Sequence, residues 1–322
     1  MCQTIIIPLI SFVASFFSFR IMIPALKRAG IVGKDMHKPG QPEVVEMGGV
    51  VTAIGFGAGI VVAIGLKSFV GLFSSVDLLP MVAAFSTILI VVLIGILDDL
   101  ISMRQWVKAI IPLIAALPLM AIKVGDTTMS IPFIGQVDFG ILYSLVLVPI
   151  GVTVAANAVN MLAGFNGSEV GMGIIAAGSL AIIAYSLGET TALLILLAAL
   201  GALLATLYYN WYPAKVFVGD TGTLSIGAII ASAVIIGNFE TAGIIIIIPY
   251  AIDFLIKAKN HFPSKGWWGI YRNGKLYCPK SGVVGLGQLI MKVTGGISER
   301  NLTLILMGIE AVSGAVAIWM FW

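Results

Sequence analysis

The stretch LLPMVAAFSTILIVVLIGILDD, residues 78–99, decides the fold. Residues 78–97 carry no charge and, as a helix, are long enough to cross a hydrocarbon core of about 30 Å. The run then stops on two adjacent carboxylates, Asp98 and Asp99. Working outward, comparable apolar runs occupy 4–26, 48–66, 109–122, 140–156, 170–188, 191–208, 223–238, 241–256 and 301–322. The pattern predicts an all-α integral membrane protein of about ten transmembrane helices, with residues 1–322 forming one polytopic domain. Composition agrees: 59% of residues are hydrophobic and 10% charged, which excludes a water-soluble globule. Cys2 and Cys278 are too few for a disulfide framework or a zinc cluster. The first apolar run has no basic n-region and no small-residue cleavage pattern, so it reads as a span rather than a removed leader.

Basic residues orient the chain. Of the 18 Lys and Arg residues, 15 fall in alternate inter-span loops, and the opposite side holds only Lys67 and Lys123. The basic side is expected to be cytoplasmic, with both termini outside and Trp319 and Trp322 at an interface. Arg20 lies within the first span, where snorkelling accounts for it. No basic stripe fit for nucleic acid is visible. On the outer side, residues 123–140, with Pro132 and Gly135, suit a small hairpin without chemistry.

Polar residues gather on the basic side. Asp98 and Asp99 suit a divalent metal or a basic partner, and equally an acidic helix end facing water. Residues 157–167 read NAVNMLAGFNG; in a continuous helix Asn157, Asn160, Gly164 and Gly167 would share one face, open to a ligand or to close helix packing. Residues 217–222 read FVGDTG, placing Asp220 between glycines at the start of a span, as a metal or phosphate contact, a helix N-cap, or both. The long loop 257–300 interleaves Lys257, Lys259, Lys265 and other cations with Trp267, Trp268, Tyr271 and Tyr277, a composition that suits anionic lipid or phosphate. His37 reads as an ordinary polar loop residue, and Glu310, inside the last span, has no nameable partner.

Taken together and in order, LDD at 97–99, NAVNMLAGFNG at 157–167 and FVGDTG at 217–222 resemble the polyprenyl-phosphate N-acetylhexosamine-1-phosphate transferase family, over about 33–261. The central motif looks most like the eukaryotic and archaeal dolichyl-phosphate N-acetylglucosamine-1-phosphate transferases. The resemblance implies UDP-N-acetylglucosamine and a polyprenyl or dolichyl phosphate as substrates, magnesium as cofactor with manganese as a substitute, and catalysis on the cytoplasmic side of a plasma or endoplasmic-reticulum-type membrane. It also allows a homodimer in contact with membrane lipid.

Carried over by motif, Asp220 and Asn160 would ligate the metal. Asp98 and Asp99 would orient or deprotonate the lipid phosphate, and Lys108 would bind a phosphate. The first cytoplasmic loop, GKDMHKPGQPEVVEMGG at 33–49, resembles the family's: Lys38 would face phosphate, Asp35 would contact nucleotide and Glu46 sugar. Asn157 would join the substrate site, Asn166 would help bind uridine, and Phe217 would lie near the base. The histidine cluster of the peptidoglycan branch is absent, as is the eukaryotic Arg-His-Arg pattern; KAKNHFPSKG leaves His261, supported by Lys259, to meet the pyrophosphate. That absence argues against the rival substrate, a phospho-muramoyl-pentapeptide nucleotide. A transporter, the rival from another class, would place its ionisable residues along a midplane pathway rather than at one edge.

Overall fold

The computed structural model describes residues 3–131, 135–263 and 268–322. Cys2, Pro132, Lys265 and Trp267 lie outside the described residues. Among the described residues, eight helices are long and apolar enough to cross a membrane. They are α1 (Ile6–Arg28), α2 (Gly48–Val70), α3 (Leu78–Ile101), α7 (Val148–Leu162, which a π turn extends back to Tyr143), α8 (Ser168–Leu187), α9 (Thr190–Asn210), α10 (Gly219–Ile236) and α14 (Glu299–Phe321). A ninth is formed if α11 (Glu240–Ile246) and α12 (Ile248–Lys259), bent by 55° at Pro249, count as one span. The run expected at 109–122 is instead three short pieces: α4 (Gln105–Ile110), α5 (Pro112–Ala115) and α6 (Leu117–Ala121). Pro112 and Pro118 open the second and third pieces, and proline cannot continue the preceding ladder.

Helix α10 is the axis of the bundle. Of its most apolar window 89% is buried, against 22% for α1 and for α14, and it packs on α2, α3, α7, α8 and α9. Between helices surrounded by lipid there is little hydrophobic drive, so association rests on close packing through small residues. A Cβ on Gly49 would lie 2.1 Å from the Gly222 nitrogen, and one on Gly95 would lie 2.4 Å from the Thr221 Cα. These two glycines let the first turn of α10 seat directly against α2 and α3.

The chain leading into α10 is stitched to the chain leading into α2. Strands β1 (Val32–Lys34) and β2 (Glu43–Val45) form an antiparallel hairpin, and Val45 also bridges in parallel to Val216. Phe217 N donates to Val45 O (2.7 Å), and Gly48 N and Gly49 N donate to Phe217 O and Val218 O (both 2.8 Å). The hairpin carries residues 35–42 over the bundle end where α2, α8, α10 and α14 begin and α3, α7 and α12 finish. At the other end, β3 (Thr128–Ile131) pairs with β4 (Gly135–Asp138), the expected hairpin. Strands β5 (Ile270–Arg272) and β6 (Lys275–Tyr277) and helix α13 (Leu286–Val293) complete the fold.

Candidate active site

Three carboxylates and one ammonium meet where α3 ends and α10 begins. Lys108, on α4, forms ion pairs with both Asp98 and Asp220. Asp98 is buried, and its Oδ1 accepts from Met103 N (2.8 Å), which fixes the turn after α3. Asp99 faces the other way. Its Oδ1 accepts from Asp220 N (2.7 Å), and its Oδ2 from Thr221 N (3.1 Å) and Thr221 Oγ1 (2.6 Å). Asp99 therefore caps α10 from another helix, satisfying N–H groups that the helix itself leaves unpaired. Val218, in the cap position, supplies no side-chain bond.

This arrangement corrects one reading of the sequence and adds a structural role to another residue. Asp220 is not an N-cap: its backbone N–H is capped by Asp99, and its carboxylate turns to Lys108. Asp99 directs both oxygens to the first turn of α10 and so anchors the turn that carries Asp220, while its residue also lines the neighbouring cavity. Gly219 makes the contact feasible, with φ at +67° and no side chain where the Asp99 carboxylate lies.

A cavity of about 420 Å³ opens beside this cluster. Asp99, Asn160, Phe217, Asp220 and Thr223 line one end, and Asp35, His37, Phe165, Asn166 and Trp268 the other; Glu46 and Glu169 also face it. Burial, with the nearby charge of Asp99 adding to it, pushes the Glu46 carboxyl above its ordinary value.

Helix α7 stops at Leu162, so the motif at 157–167 is not one helical face. Only Asn157 and Asn160 are helical; Gly164 (φ +120°) and Gly167 (φ +80°) turn the chain into α8. Asn160 reaches the cavity wall. Asn157 does not: its amide donates to Thr153 O (2.9 Å) and Ala109 O (3.3 Å), tying α7 to the segment that carries Lys108. The turn delivers Asn166 to a buried hub. Its Nδ2 donates to Glu299 Oε1 (2.6 Å) and Asp35 Oδ2 (3.2 Å), and its Oδ1 accepts from Ala214 N (2.7 Å) and Lys38 Nζ (3.2 Å). With every polar valence of its side chain spent, Asn166 shapes the wall instead of offering a free amide.

Two residues here escaped the sequence reading. His37 is no surface residue but 6% exposed, with Nδ1 3.1 Å from Glu299 Oε1 and its ring stacked 5.2 Å from Phe165. Glu299 opens α14 directly after the capping Ser298, so in sequence it reads only as an acidic first turn. Conversely, Lys259 and His261 are exposed and line no part of this cavity. It is Lys257 that docks beside the asparagine motif, bound to Met161 O and paired with Asp253 at 2.8 Å.

Among the described residues, two places have ligands of the right kind for a divalent cation. Asp35, His37 and Glu299 offer atoms all within 4.8 Å, but the Lys38 ammonium already binds Asp35 and Glu299 and supplies the positive charge there. At the other end Asp98 and Asp220 share the one ammonium of Lys108, Asp99 and Glu46 form no ion pair among the described residues, and Asp220 and Asn160 present hard oxygens to the cavity, which Lys34 also lines. That excess of carboxylate fits a magnesium-like ion.

Known proteins resemble this chain over nearly its whole length. A Saccharolobus solfataricus protein, provisionally named a UDP-N-acetylglucosamine–dolichyl-phosphate N-acetylglucosaminephosphotransferase, is 38% identical over 96% of this chain and 94% of its own length. Residues 81–238 match glycosyl transferase family 4. The chain belongs to that family. A Dictyostelium discoideum UDP-N-acetylglucosamine–dolichyl-phosphate N-acetylglucosaminephosphotransferase is 26% identical over 95% of this chain and 86% of its own. A phospho-N-acetylmuramoyl-pentapeptide-transferase of Clostridium perfringens is 35% identical over only 50% of this chain and 54% of its own. The family match of this multi-pass glycosyl-1-phosphate transferase holds Asp98, Asp99, Lys108, Asn160, Asn166 and Asp220, while Asp35, His37, Glu46 and Glu299 lie outside it.

Proposed function

We propose that this family 4 enzyme transfers N-acetylglucosamine-1-phosphate from UDP-N-acetylglucosamine to dolichyl phosphate, releasing UMP, at the cytoplasmic face of its membrane. The observation that carries the reading is the convergence of all three motifs on one cavity, with Lys108 bridging Asp98 and Asp220 beside it. The relatives of 38% and 26% identity, which align with nearly the whole chain, support the substrates. The 15-of-18 placement of basic residues supports the cytoplasmic side.

A phosphate monoester has a second pKa near 6, so the lipid phosphate arrives at pH 7 mostly as a dianion and needs no strong base. The obstacle is repulsion between two anions. Asp220 and Asn160 would hold magnesium, which neutralises charge on the pyrophosphate and fixes its geometry. Lys108 would meet the incoming phosphate once substrate draws it from Asp220, with Asp98 keeping the ammonium in place. Asp99 sets the position of Asp220 by gripping the first turn of α10. Nucleophilic attack of the lipid phosphate oxygen on the sugar-bearing phosphorus would form the new pyrophosphate and expel UMP in a single displacement. Toward the opposite end of the bundle, an apolar cavity of about 260 Å³ between α7, α10 and α11, walled by Met129, Leu147, Val154, Ile230, Val234 and Ile247, would suit the distal part of an isoprenoid tail.

The test is UMP release by the purified protein. Release should require UDP-N-acetylglucosamine, magnesium and dolichyl phosphate together; UMP appearing without lipid phosphate would count against the reading, as would preference for a muramoyl-pentapeptide nucleotide.

A further inference from the structure

The hub opposite the acidic cluster is a closed polar network with one gap. Glu299 Oε1 accepts from Asn166 N (2.8 Å) and Nδ2 (2.6 Å) and pairs with His37 Nδ1 (3.1 Å), while Oε2 lies 3.4 Å from Lys38 Nζ. Asp35 Oδ1 accepts from His37 N (3.1 Å), and Oδ2 takes Lys38 and Asn166. The Asn166 carbonyl accepts from Thr303 Oγ1 (3.1 Å). Every donor of Asn166 and both carboxylates are engaged. The exception is His37 Nε2, which is buried, lies in a residue on the cavity wall, and has no hydrogen-bond partner among the described residues.

An unpaired polar atom in such a place is costly unless something arrives to satisfy it. With Nδ1–H donating to the Glu299 carboxylate, the neutral ring presents Nε2 as an acceptor. Stacking on Phe165 and the bond to Glu299 together hold the ring in one orientation. Asp35 and Glu299 both pair with the Lys38 ammonium here, which leaves that ammonium engaged rather than free to draw a phosphate to His37, and so favours a neutral donor at Nε2; Lys34 also lines the cavity.

We propose that His37 binds the nucleoside of the donor substrate, its Nε2 accepting a hydrogen bond from an N–H or O–H of uridine, with Glu299 as the positioning residue that sets the ring. The assignment rests on the transferase reading above and extends it to two residues outside the family match. The phosphates then lie toward Lys108 and Asp220, at the opposite end of the cavity, consistent with a nucleotide spanning it.

The experiment uses the full-length purified protein and calorimetric binding of UMP and its 2′-deoxy, 3′-deoxy and N3-methyl derivatives, each lacking one donor. Wild-type protein should bind one of the three about tenfold more weakly than UMP, and the identity of that derivative names the donor. His37→Asn keeps an amide to meet Glu299 but deletes Nε2. It should bind UMP about tenfold more weakly, cease to discriminate that derivative, and raise KM for UDP-N-acetylglucosamine while leaving KM for dolichyl phosphate within twofold. Equal binding of UMP and all three derivatives by wild type overturns the proposal without any variant. So does a folded His37→Asn protein that binds and discriminates as wild type does, or one whose two KM values rise together. A wild type that neither binds UMP nor releases it from UDP-N-acetylglucosamine would sink the transferase reading itself, and this assignment with it; wild-type turnover with a failed analogue series sinks the assignment alone.

Discussion

Asp99→Asn separates an anchor from a base. In the structure the Asp99 carboxylate accepts three hydrogen bonds from the first turn of α10, two from backbone N–H groups and one from the Thr221 hydroxyl. The Asn oxygen can still accept from Asp220 N, and the Thr221 hydroxyl can turn to accept from the new amide. Thr221 N–H then faces an NH2 group and loses its acceptor, at a residue that is fully buried. One orphaned buried donor costs about 1–3 kcal/mol, and losing the anion at a helix N-terminus roughly 0.3–1 more. The expected destabilisation is about 2 kcal/mol, seen as a thermal midpoint in detergent lowered by several degrees. Turnover should fall too, because Asp220 is carried on the loosened turn. Unfolding followed by tryptophan fluorescence, beside UMP release, checks both. A variant with an unchanged midpoint and abolished turnover would refute the anchoring role and return Asp99 to the reacting phosphates.

Asp220→Asn should behave in the opposite way: turnover down on the order of a hundredfold or more, with the midpoint little changed, because its carboxylate caps nothing and its ion pair is partly exposed at 26%. Near-normal magnesium-dependent turnover would remove Asp220 from the metal site. Glu46 gives a pH signature. Its folded pKa is raised from 4.5 by burial and by Asp99, so ionising it in the folded state opposes folding, and stability is lost as pH rises through the raised value. Glu46→Gln should therefore match wild type near pH 4 and have the higher midpoint at pH 7; a constant offset between the two would be the wrong result. Single cysteines replacing exposed Lys259 and Lys275 should resist impermeant thiol reagents in intact cells and react once the membrane is opened, and labelling from outside would invert the topology.

The membrane class of the protein was written in its residues, because apolar runs near the length of a bilayer core are set by composition and spacing alone. Runs such as 78–97 and 191–208 map onto α3 and α9 within a few residues. Prolines at 112 and 118 fragmented the run at 109–122, an effect of backbone geometry that hydropathy does not register. The three acidic and amide motifs were equally legible, since hard oxygen ligands and glycine turns announce themselves locally. What each carboxylate does was not. Asp99 and Asp220 stand 121 positions apart in the chain, and only the close seating of α10 against α2 and α3 decides that Asp99 caps the turn carrying Asp220 while Lys108 takes the Asp220 carboxylate. His37 and Glu299, separated by 262 positions, carry no common signal at all. Their pairing exists because the hairpin of β1 and β2 lays its loop over the start of α14, and burial there turns an ordinary loop histidine and a helix-opening glutamate into parts of one network.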